Sequence, residues 1–86
     1  MIAVRLGRHA AEALAPALED SGLTLTDREP GWQVMEQEYE GTPEAWRVLL
    51  VAARDRARGR AGGWDQPGAW TTACKALAKR IEEALR

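Results

Sequence analysis

The chain has 86 residues, of which 45% are hydrophobic and 29% charged, and its formal net charge is −1. This length allows one small domain, residues 1–86, and the absence of any apolar run of about 18 residues excludes a transmembrane helix. The single cysteine, Cys74, excludes an internal disulfide and a thiolate zinc site.

The N-terminal pattern is typical of a strand followed by a helix. Apolar residues alternate over residues 2–6, which predicts a strand that ends at Gly7. Residues 9–21 have one apolar face and predict a helix, with Gly22 placed as its C-cap. Because Pro16 lies inside this pattern and lacks a backbone donor, we expect a kink or a broken first turn.

Two further strands are predicted to form a hairpin. Residues 23–27 alternate, Arg28–Gly31 have strong turn chemistry, and Trp32–Glu40 follow as the returning strand. A helix is the alternative for the last segment, because it is rich in Glu, Gln and Met and no β-branched residue follows Val34.

Residues 42–58 give the clearest helix signal, with Thr42 as the N-cap and Pro43 at the first helical position. One apolar stripe is predicted to face the core, and it consists of Trp46, Leu49, Leu50, Ala53 and Ala57. A second apolar strip, consisting of Val48, Val51 and Ala52, lies away from it. A helix with two apolar strips is expected to be covered on two sides, by the sheet and by another helix or a partner.

The glycine-rich residues 59–68 separate this helix from a last one, for which Asp65 or Gln66 is the predicted cap. From Trp70 onward the pattern is amphipathic, with Glu82 and Arg86 spaced as a supporting ion pair. The elements together predict an α+β fold in the order β-α-β-β-α-α. In it, a small antiparallel sheet packs against the helices and the last two helices form a hairpin.

The four tryptophans are expected to supply the aromatic bulk of the core, since the chain contains no phenylalanine. They are Trp32, Trp46, Trp64 and Trp70. Trp64 is ambiguous, because it lies in the glycine-rich segment next to the arginines, where it could stack on a base or anchor a partner. A staple that packs on the start of the last helix is the structural alternative.

The nearly neutral net charge of the chain is the sum of two oppositely charged halves. Residues 1–41, the β-α-β-β part, contain three basic and eight acidic residues, a net charge of −5. Residues 42–86, the helical hairpin, contain nine basic and five acidic residues, a net charge of +4. Three interpretations compete: the two charged parts face each other within the fold or form separate solvated faces, they meet across a protein interface, or the arginines contact phosphates.

Candidate residues for binding a partner or a nucleic acid follow from these patterns: Val48, Val51, Arg54, Arg56, Arg58, Arg60 and Trp64. The spacing weakens the nucleic-acid hypothesis. Arg54 and Arg58 lie on one flank of the predicted helix, whereas Arg56 and Arg60 lie nearly opposite, so the four cannot all reach one duplex unless the helix ends early.

Catalysis and metal binding have little support in the sequence. His9, the only histidine, follows a strand, but no Ser, Cys or Lys is identifiably paired with it, and a lone histidine at a helix start is more often a surface residue. Glu36, Glu38 and Glu40 would spread over about 13 Å of a strand, too far to converge on one cation. We therefore expect no catalytic residue, no metal and no cofactor.

The leading hypothesis is a non-catalytic protein-interaction module, an adaptor, regulator or inhibitor, that self-associates as a homodimer. Its basis is the thin core of so short a chain, the helix with two apolar strips and the split charge. A small nucleic-acid-binding regulator is the alternative. We expect a cytoplasmic protein with no membrane partner, because Met1–Leu6 are too short for a signal peptide. Ten arginines against two lysines indicate a GC-rich, bacterial genome.

Overall fold

The computed structural model describes residues 1–26, 36–58 and 68–86. The predicted α+β class and element order are confirmed, except that two short helices replace the first predicted helix. In chain order the elements are β1 (Ile2–Gly7), α1 (Arg8–Ala13), α2 (Ala15–Ser21), β2 (Thr24–Leu25), β3 (Glu36–Gly41), α3 (Pro43–Ala57) and α4 (Gly68–Ala84).

The three strands form one antiparallel sheet in the order β1-β3-β2. The strand predicted over residues 32–40 is confirmed as β3 where it is described, so the helical alternative is wrong for that part. β2 is shorter than predicted, but Thr26 continues the pairing by donating its backbone N–H to the carbonyl oxygen of Glu38 at 2.9 Å. The predicted turn at Arg28–Gly31 lies outside the described residues.

The register of β1 against β3 decides which face of the sheet is covered. Val4 pairs with Tyr39 and Leu6 with Gln37, and residues paired directly across two strands share a face. Val4 and Leu6 are buried and Tyr39 packs against the core, so this face lies under the helices. The opposite face carries Arg5 together with the glutamates of β3.

Pro16 explains why the first predicted helix is divided. The break falls at Leu14, whose φ of −109° and ψ of 13° are not helical, and it makes Pro16 the second residue of α2. At that position the missing N–H of a proline has no partner to lose, so the break removes the conflict that an interior proline would create. Gly22 is the predicted C-cap, with a φ of +82° that a side chain would disfavour.

The predicted start of α3 is confirmed in its details. The side-chain oxygen of Thr42 accepts a hydrogen bond from the backbone N–H of Ala45 at 3.2 Å, and Pro43 is the first helical residue. The predicted inner stripe is buried apart from Ala57, which is partly buried. The buried residues of α3 are Ala45, Trp46, Leu49, Leu50 and Ala53.

One hydrophobic core contains residues of both the acidic and the basic parts of the chain. The most extensive contact between helices is that of α3 with α4, which confirms the predicted packing of the last two helices. The elements α1, α2 and β1 complete the core with a further set of buried residues: Val4, Leu6, Ala10, Ala13, Leu14 and Leu18.

Trp46 is the largest of the fully buried side chains and has an exposed fraction of 0%. Its ring nitrogen Nε1 donates a hydrogen bond to the carbonyl oxygen of Ile2 at 2.8 Å. Trp70 is partly buried and packs against the same core, as predicted. Trp32 and Trp64 lie outside the described residues.

Removing the N-cap of α3 should lower stability measurably. We expect Thr42→Ala to reduce the free energy of unfolding by about 1 kcal/mol, because the N–H of Ala45 loses its acceptor. Urea denaturation followed by circular dichroism measures the change. Thr42→Ser keeps a hydroxyl acceptor and is the matched control; an equal loss in both variants would contradict the capping role.

Replacing the buried indole should cost more than removing the cap. We expect Trp46→Phe to lower the free energy of unfolding by about 1–3 kcal/mol, because the carbonyl of Ile2 loses its donor and ring volume is lost. The partly buried Trp70 provides the control, since Trp70→Phe should have a smaller effect. A larger loss in Trp70→Phe than in Trp46→Phe, measured by thermal or urea unfolding, would refute this ranking.

Candidate interaction surface

The side of α3 that points away from the core forms a surface of mixed charge with an apolar centre, which we call the α3 outer face. Successive residues of an α-helix are rotated by about 100° around its axis. Six positions of α3 therefore lie opposite the buried stripe, within a sector of about 100°. All six are exposed, and Val48 and Val51 keep 52% and 59% of their surface in contact with solvent. The six residues of the α3 outer face are Glu44, Arg47, Val48, Val51, Asp55 and Arg58.

Within the described chain the second apolar strip of α3 is covered only in part, so its expected cover by a partner stays a prediction. Ala52 is partly buried and borders a groove of about 200 Å³ between α2 and α3. Val48 lies one turn before Ala52 and Val51 directly precedes it, and both valines are exposed. The groove is lined by Ala13, Leu14, Pro16, Ala17, Ala52, Asp55 and Arg56.

Arg54 is held against the last helix. Its guanidinium contacts the carboxylate of Glu82 at 2.7 Å, and both side chains are about half exposed. The ion pair found for Glu82 is thus with Arg54 of α3, whereas the sequence predicted one with Arg86. A pair at this exposure stabilises the fold only weakly.

The other described candidate arginines, Arg56 and Arg58, have different surroundings from each other. Arg56 is partly buried, lines the groove beside α2 and has an interaction partner of its own. Arg58 is exposed and lies 4.0 Å from Asp55 on the same helix. Arg60 and Trp64 lie outside the described residues, so binding by the full set of candidate residues stays a prediction.

The acidic strand is paired with α4 and with β2. Glu36 contacts the guanidinium of Arg80 at 3.2 Å, and the same guanidinium donates to the carbonyl oxygen of Arg5 at 3.1 Å. The carboxylate of Glu38 accepts a hydrogen bond from the hydroxyl of Thr26 at 2.9 Å. In residues 1–26, 36–58 and 68–86, no group of three acidic, histidine or cysteine side chains could hold a metal ion.

Three residues of the α3 outer face were not singled out from the sequence as candidates: Glu44, Arg47 and Asp55. The sequence contained a signal for Glu44, which precedes Val51 and Arg58 at intervals of seven residues and therefore lies on nearly the same side of the helix. Within the described parts of the chain, Glu44 and Arg47 make no hydrogen bond or ion pair.

His9 and Cys74 carry the chain's single imidazole and single thiol. His9 is exposed on α1 and makes no hydrogen bond with another described residue. Cys74 is fully buried, and this burial raises the pKa of its thiol, against a smaller opposing effect of the positive charge of Arg56. A thiol held in its neutral form is a poor nucleophile.

Among the described residues, the helices α1, α2, α3 and α4 are each too short or too polar to cross a lipid bilayer.

The raised pKa of Cys74 predicts a dependence of stability on pH. The folded state binds the thiol proton more tightly than the unfolded state does. The stability that this protonated thiol contributes is therefore complete below the ordinary thiol pKa of about 8.5, and it is lost as pH rises through the raised pKa of Cys74. The free energy of unfolding of the wild type should therefore fall more steeply above about pH 8.5 than that of Cys74→Ala. Parallel urea titrations at several pH values measure the difference, and identical slopes would contradict it.

Comparison of the chain with protein-family models, with curated proteins and with solved structures finds no match, so the function must be inferred from the geometry of its own residues.

Proposed function

We propose that the chain is a small non-catalytic protein-interaction module, an adaptor, regulator or inhibitor, that binds its partner through the α3 outer face. The observation that carries the proposal is the exposure of Val48 and Val51, which lie three residues apart on the same side of α3. Burial of these two side chains against a partner would remove apolar surface from water, which is the main driving force of protein association.

The surroundings of the two valines also favour a protein partner. Charged residues of both signs, Arg47, Asp55 and Arg58, border the valines, and an apolar centre within a polar rim is the usual composition of a protein interface. The other large exposed apolar side chains among the described residues are Met1 and Leu25, which belong to other elements. The α3 outer face is therefore the apolar surface best suited to docking.

Nucleic-acid binding remains the alternative proposal, and the described arginines do not favour it. A phosphate backbone is best bound by several unpaired basic groups on one surface. Arg54 is about half exposed but engaged by Glu82, Arg56 is partly buried beside α2, and Arg58 is exposed but lies 4.0 Å from Asp55. A cytoplasmic location is part of our proposal, since reducing conditions suit the lone buried thiol of Cys74.

Site-specific photo-crosslinking tests the interaction surface directly. A benzophenone amino acid at position 51 should give discrete covalent protein adducts, either in the purified protein or in a lysate of the source organism. Excess unlabelled wild type should suppress these adducts, whereas excess Val51→Asp should not, because a buried carboxylate would oppose docking.

The control carries the same probe at position 75, an exposed site on α4. Absence of adducts at position 51, or equal adducts at positions 51 and 75, would contradict the proposed function. Gel shifts with duplex DNA, single-stranded DNA and RNA at low salt test the alternative. A shift that weakens as salt rises and in Arg54→Ala or Arg58→Ala would favour nucleic-acid binding.

A further inference from the structure

We draw no further inference here: the strongest candidate, the exposed apolar patch of Val48 and Val51 on the α3 outer face together with the groove between α2 and α3 beside it, carries none, because nothing in the described part of the chain shows what covers it.

Discussion

The anchoring of Trp46 between the sheet and the helices is the contact on which the rest of the structure depends. Its side chain is completely buried, and its Nε1 group ties α3 to the carbonyl oxygen of Ile2 at the start of β1. The residue is in the first turns of α3, directly after the cap at Thr42, so one side chain determines where that helix lies against the N-terminal strand. Burial of the large aromatic ring removes apolar area from water, which stabilises the fold, and the hydrogen bond of its Nε1 group orients the ring.

The position of α3 determines which of its residues remain available. Once Trp46 and Leu49 point inward, Val51 is carried to the opposite side, because residues two or five positions away lie roughly half a turn round the helix. The same rotation turns Ala52 towards α2 and Arg54 towards Glu82. The α3 outer face is thus a geometric consequence of the core.

Electrostatic contacts between the two halves of the chain run through α4. Arg80 joins that helix to β1 and β3 through the carbonyl oxygen of Arg5 and the carboxylate of Glu36. Arg54 and Glu82 form a second pair that lies wholly within the basic half. At these exposures each pair contributes at most about 1 kcal/mol, so the charges orient the helices while the shared apolar core holds them. In the described parts of the chain, Glu44 and Arg47 make no hydrogen bond or ion pair.

Sequence by itself determined the features that depend on neighbouring residues. These are the cap at Thr42, the break caused by Pro16, the left-handed Gly22 and the inner stripe of α3. Each follows from backbone sterics, capping or helical periodicity, which act over a few residues. The α+β class followed from the same signals.

Only the tertiary structure decided which side chains of α3 are covered and which charged side chains pair. It placed Ala52 under cover and left Val51 in solvent, and it paired Glu82 with Arg54 in place of Arg86. The sequence pattern identified the stripe of α3 that faces the core and divided the arginines between two flanks of the helix, but it did not show how much of the second apolar strip the rest of the chain covers. The physical reason is that burial and ion pairing depend on residues distant in the chain, whose approach is determined by the packing of the whole core.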